Sequence, residues 1–228
     1  MKNDVYLKNG IEAYKKGDYK EALKYFRRLV SESKNYYIGL TLVRLKNYED
    51  ATAHLKSYLK KATDYALMIQ VFLVLGYAYA ELENFRVARK YLQKAIELDF
   101  NNSRAYAALG YVYYKLNQYN EAIDSLKKAI EIDENNATAH NSLGYIYSDL
   151  DMDIEQAVKE IETALRLKPD YGAFLDSMGW IYYKKGDFAE AKKYLARALE
   201  KLPDNPEIKQ HFRDVVVKEV ARRKESID

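Results

Sequence analysis

Between Ser103 and Asn136 the apolar positions follow a helical spacing, stop, and begin again. Tyr106, Leu109, Gly110 and Tyr113 recur at intervals of three or four and predict one helical face. The segment LNQY breaks the pattern, and Ala122, Leu126, Ala129 and Ile130 then mark a second face. Sliding this stretch by about 34 residues in either direction matches it to the chain again. A period of that length is the mark of a helix-turn-helix array, in which each unit buries its apolar face only against its neighbours.

Three columns carry the register along the chain. A glycine recurs at Gly10, Gly39, Gly76, Gly110, Gly144 and Gly179, and a small residue at Ala22, Ala51, Ala88, Ala122, Ala157 and Ala191. An aromatic follows the break at Tyr19, Tyr48, Phe85, Tyr119 and Phe188. Glycine inside a helix costs about 1 kcal/mol relative to alanine. Its recurrence therefore implies a close approach between paired helices, with the alanine on the opposite side of the same contact. The aromatic is expected to fill the wedge where the two helices diverge.

These residues resemble the tetratricopeptide repeat family. Its signature positions fall at Tyr106, Leu109, Gly110 and Tyr113, then Ala122 and Leu126, then Ala129, with Glu134 in place of the terminal proline. The resemblance implies an all-α, right-handed superhelical solenoid of antiparallel helix pairs. The repeats are expected at approximately 3–31, 32–68, 69–102, 103–136, 137–171 and 172–205, all in a single domain over 1–228. Repeats one and two are degenerate: Asn9 and Ala13 replace a usual Leu and Tyr, and Tyr58 replaces a usual Ala. Beyond Pro203 and Pro206, the residues Ile208, Phe212, Val215, Val216 and Val220 share one face, so 206–228 is expected to be a carboxyl-terminal capping helix. Residues 137–213 further resemble the last repeats of bacterial multi-repeat scaffold and adaptor proteins.

Composition agrees with a helical core: 48% of the residues are apolar, 31% are charged, and there are only 9 Gly and 3 Pro. The net charge of +3 does not by itself call for a nucleic acid. It is uneven, with 14 Lys/Arg against 7 Asp/Glu in residues 1–62. With no cysteine, disulfides, thiolate metal sites and catalytic thiols are excluded. The first residues show no signal-peptide pattern. The apolar run from Tyr65 to Ala80 is shorter than the ~20 residues a bilayer span needs and is read as a buried helix. The compartment stays open: cytoplasmic as written, or envelope-associated for a processed fragment.

Catalytic and metal chemistry find little support. Asp149, Asp151, Asp153 and Glu160 imitate parts of a calcium loop, but Ile154 stands where that loop needs glycine. These acids are expected to cap the following helix. His54, His140 and His211 lie far apart, and His140 occupies a packing column. No phosphate loop or hydrolase motif occurs. The expectation is a non-enzyme with no cofactor and no metal.

The aromatics are more telling, with 23 Tyr, 7 Phe and 1 Trp. In the family that the chain resembles, places two, five, nine, twelve and thirteen of each repeat face the concave surface. The resemblance thus puts Tyr77, Tyr111, Tyr145 and Trp180 at the ninth place and Tyr14, Tyr114 and Tyr183 at the twelfth, with Gln70, Arg104, Asn141 and Asp176 among them. Rings edged by a few polar groups suit a peptide groove, since Tyr and Trp give large contact area at low rotamer entropy. The competing reading is lateral packing between adjacent first helices. The carboxylate clamp of some family members is absent, because the fifth places hold Leu7, Tyr36, Leu73, Ala107, Asn141 and Asp176. The expected partner is a protein or peptide. Self-association through atypical end repeats and RNA binding are the alternatives.

Overall fold

The computed structural model describes residues 2–225, and among them every regular element is α-helical. The backbone packs as two compact units, residues 1–118 and 119–228. The last three residues of the expected cap, 226–228, lie outside the described residues.

The first unit holds α1 (Lys2–Lys15), α2 (Tyr19–Arg27), α3 (Lys34–Arg44), α4 (Tyr48–Leu59), α5 (Tyr65–Glu81), α6 (Phe85–Leu98) and α7 (Ser103–Lys115). Consecutive helices pack on one another, and α5 also lies against both α3 and α7. The starts are set locally. Asp18, Asn47, Asp64, Asn84 and Asn102 each accept a hydrogen bond from the backbone N–H three residues on. Such a cap is worth about 1 kcal/mol. The turn inside each pair needs one left-handed residue, supplied by Gly17 (φ 82°), Lys46 (φ 59°), Glu83 (φ 54°) and Asn117 (φ 58°).

The second unit holds α8 (Tyr119–Ile132), α9 (Ala137–Asp149), α10 (Ile154–Leu167), α11 (Gly172–Lys184), α12 (Phe188–Lys201) and α13 (Pro206–Glu225). Here α11 lies against both α9 and α13. Asn136, Asp153 and Asp187 are the capping acceptors. Asp151 (φ 51°) and Gly186 (φ 76°) are the left-handed turn residues.

Each unit is held by apolar faces shared between neighbouring helices. In the first, Leu55, Val71 and Leu75 are fully buried, and Ala22, Phe26 and Ile38 form a neighbouring cluster. In the second, Ile161 packs with Met178 and Ile181, while Leu175 and Leu195 pack with Ile208 and Val215 of α13. The glycine column makes the expected close approaches. A Cβ on Gly76 would lie 2.5 Å from Leu92 Cδ2, and one on Gly144 only 2.7 Å from the Ala157 carbonyl oxygen. Among the described residues, no helix is long and apolar enough to cross a membrane.

Candidate functional site

On α5, the residues Gln70, Leu73, Val74 and Tyr77 stand three or four apart, so one stripe of the helix presents all of them together. The same spacing groups Leu40, Val43 and Arg44 on α3, and Arg104 with Ala108 on α7. Together with Tyr14, Lys46 and Tyr48, these residues line a cavity of about 600 Å³ in the first unit. Four residues that the sequence places inward, Tyr14, Gln70, Tyr77 and Arg104, therefore share one concavity. Arg44, Lys46 and Tyr48 were not anticipated there. A signal for Arg44 existed: it stands at the thirteenth place of the degenerate second repeat. Tyr48 belongs to the post-turn aromatic column, which the pattern assigns to packing.

The cavity wall is ordered by its hydroxyls. The Tyr36 hydroxyl donates to Gln70 Oε1 at 2.7 Å, and burial is the main cause that pushes its pKa up to about 12. Tyr48 donates to Glu81 Oε2 at 3.1 Å and sits 3.5 Å from the Tyr77 hydroxyl. Burial, then the bond to Tyr77 and the Glu81 charge, hold the Tyr48 hydroxyl well above the ordinary range. The Tyr77 ring meets that of Tyr48 edge-on at 6.0 Å and is still 48% exposed. The Arg44 guanidinium lies 5.8 Å from the Tyr19 ring centroid, and a bond to the Tyr14 hydroxyl raises its pKa further.

Tyr111 is 43% exposed, edge-on to Phe85 with Lys115 above its ring, and Tyr114 is half-buried.

In the second unit the predicted residues meet different fates. Tyr145 and Asn141 are half-buried, and Asn141 Oδ1 is sealed without a hydrogen-bond partner. Asp176, expected to orient a bound segment, is instead buried against His211, with Oδ1 2.9 Å from the imidazole Nδ1. Trp180 stacks on His211 at 4.5 Å and on Tyr183 at 4.9 Å, and its indole Nε1 is buried without an acceptor. The cause is α13. It lies beside α11 and sets an imidazole over the stripe that carries Asp176 and Trp180. This pair thus packs against the helix that follows the last repeat, a contact that neither the groove expectation nor packing between adjacent first helices describes. Tyr183 is half-buried and also approaches Phe188.

The acids of the calcium-like pattern are spent on the fold. Asp153 caps α10, Asp151 receives Lys184, and Glu160 Oε2 lies 2.6 Å from His140 Nδ1. Among the described residues, no group of three or more His, Cys, Asp or Glu is placed to hold a metal ion.

Models of the tetratricopeptide repeat match residues 7–66, 69–102, 91–124, 137–171 and 173–205, and a TPR repeat model matches 110–151. The chain is a tetratricopeptide repeat protein. The helix pairs described above are the all-α solenoid fold of that family, whose members are typically non-catalytic protein-interaction scaffolds.

The TPR repeat-containing protein PA4667 of Pseudomonas aeruginosa is 46% identical over 57 residues, which is 25% of this chain. The match spans only 10% of that relative's length. Among solved structures, the fold is similar to TTC0263, a thermophilic TPR protein of Thermus thermophilus. The TM-score is 0.69 at 20% identity, covering 82% of this chain and 100% of that one. A structure of the APC/C hetero-tetramer Cut9-Hcn1 gives a TM-score of 0.78 at 18% identity, covering 92% of this chain and 42% of that one. YrrB, a TPR protein with an unusual peptide-binding site, gives 0.58 at 22% identity, covering 75% and 88%.

Proposed function

We propose that this TPR protein is an adaptor that holds a peptide or helix of a partner protein in the cavity of its first unit. The observation that carries the reading is the convergence of α1, α3, α5 and α7 on one concavity of about 600 Å³, with the half-exposed Tyr77 ring at its wall. That volume falls within the usual range of ligand sites, about 300–1,000 Å³. Tyr111 and Tyr114 on α7 would extend the contact. The peptide-binding site named for YrrB is consistent with this use of the fold, and the short match to a Pseudomonas protein is consistent with a bacterial adaptor.

The test is selection of peptides from a random displayed library on the whole chain, followed by affinity measurement with Tyr77→Ala. Loss of a central aromatic anchor is expected to weaken binding by about 1–3 kcal/mol. Selected peptides that bind the variant as well as the parent would move the site elsewhere.

Self-association is the second reading. It rests on α13, whose Val217 and Val220 are 68% and 48% exposed. Sedimentation at two concentrations distinguishes it: a mass that rises with concentration and returns to the monomer in Val217→Lys would support it.

A further inference from the structure

The cavity wall is charged with one sign. Arg44, Lys46 and Arg104 line it, and its lining residues include no acid. None of these three cations forms an ion pair among the described residues. Arg44 is engaged by tyrosines, through the Tyr14 hydroxyl and the Tyr19 ring. The nearby carboxylate, Glu81, is engaged by the Tyr48 hydroxyl. Between the cations runs an apolar wall of Leu40, Val43, Leu73 and Val74.

This mixture discriminates among anions. A guanidinium binds a carboxylate through two parallel N–H bonds, and the bond strengthens where apolar walls keep water away. A nucleic-acid strand needs a track of cations following successive phosphates. Here three cations gather in one pocket, beside aliphatic side chains that a phosphodiester would leave uncovered. The chemistry favours an acidic side chain next to an apolar one.

Building on the adaptor reading above, we infer that the cavity selects partner segments in which an Asp or Glu adjoins an apolar residue. The carboxylate is held by Arg44 and Arg104, and the apolar side chain lies against Leu73 and Val74. The site differs from a terminal-carboxylate clamp. Its arginines come from the thirteenth place of one repeat and the second of another, and a side-chain carboxylate within a segment satisfies them.

The experiment uses the full chain and the peptides selected from the displayed library. Fluorescein-labelled selected peptides are titrated into the parent, into Arg44→Gln/Arg104→Gln and into Tyr77→Ala, at low and high salt. Both arginines are exposed, so helical circular dichroism should match the parent in the double variant. The expected result is enrichment of Asp or Glu beside Leu, Ile, Val or Phe. Binding should weaken at least roughly tenfold in the arginine variant, consistent with loss of charged contacts. It should also weaken with salt, and recover in part in Arg44→Lys/Arg104→Lys. Peptides that need Tyr77 but show no acid enrichment and ignore the arginines would overturn this inference and leave the adaptor reading standing. A library that yields nothing dependent on Tyr77 would overturn both. Labelled oligouridine binding tighter than the peptides, with the same arginine dependence, would replace the protein partner with RNA.

Discussion

His211 on α13 places its Nδ1 2.9 Å from Asp176 Oδ1 on α11, and both side chains are buried. Burial, the largest influence on the imidazole, favours its neutral form. The bond and charge of Asp176, with the charges of Glu207 and Asp214, outweigh it and raise the pKa above the ordinary 6.5. The folded chain thus holds this proton to higher pH than the unfolded chain does. The stabilisation is full below 6.5 and is lost as pH rises through the raised value. His140 acts in the same sense, its pKa raised chiefly by its bond to Glu160. The melting temperature should therefore fall as pH rises from about 6.5, and the slope should flatten in His211→Gln/His140→Gln. His54, lowered mainly by burial, weakens the fold on the acid side instead. Asp176→Ala, which strands the imidazole, should cost about 3 kcal/mol at neutral pH. A melting temperature independent of pH between 6.5 and 8.5 would remove the charged pair.

The glycine column makes an opposite demand to helix propensity. Replacing Gly144 by alanine should gain about 1 kcal/mol from propensity alone. The added Cβ, however, would sit 2.7 Å from the Ala157 carbonyl oxygen and 2.6 Å from Ile161 Cγ1. Backbone cannot yield as a side chain can, so overpacking of about 1–3 kcal/mol should dominate. At Gly76 the nearest atoms belong to the side chain of Leu92, which can rotate. Chemical denaturation should show Gly144→Ala to be the more damaging of the two. Equal or increased stability for Gly144→Ala would show that the helices separate at little cost.

These close approaches were legible in the sequence, because a glycine that recurs at one place in a helical pattern has no local reason to be there. The family resemblance likewise gave the inward places that bring Gln70, Tyr77 and Arg104 to one cavity. What the repeat could not carry was departure from itself. Tyr48 sits in a packing column yet turns its hydroxyl to Tyr77 and Glu81. Asp176 stands at an inward place yet is claimed by His211, 35 residues on, in a helix outside the repeat pattern. A periodic signal reports what neighbouring repeats share, and the partner of Asp176 belongs to no repeat column.

Turns offer a gain in stability. Glu83 adopts φ 54°, a left-handed conformation that costs a non-glycine residue about 1–2 kcal/mol. Gly17 and Gly186 fill equivalent turns without that cost. Glu83→Gly should stabilise the chain by about 0.5–1 kcal/mol, the relief being offset partly by the greater freedom of glycine in the unfolded chain. The same change at Asn117 should matter less, since Asn tolerates this region. Conversely, Gly186→Ala should destabilise. Paired melting curves of Glu83→Gly and Gly186→Ala check the account, and shifts of the same sign would contradict it.

The role of α13 as the cap of its unit can be tested through the single tryptophan. Ile208 and Val215 are buried against Leu175 and Leu195, and His211 covers one face of Trp180. Ending the chain before Pro206 would open the apolar side of α11 and α12 to water and release Asp176. A terminal repeat without a covering helix loses both stability and solubility. The truncated chain should therefore melt lower, bind an apolar dye, and shift its Trp180 emission to longer wavelength. Val217→Lys changes a residue that is 68% exposed on the same helix and should leave the emission unchanged. If truncation left Trp180 emission where it stands in the whole chain, the stacking on His211 would not hold in solution. The Asp176 ion pair would then lose its support as well, because the same imidazole makes both contacts.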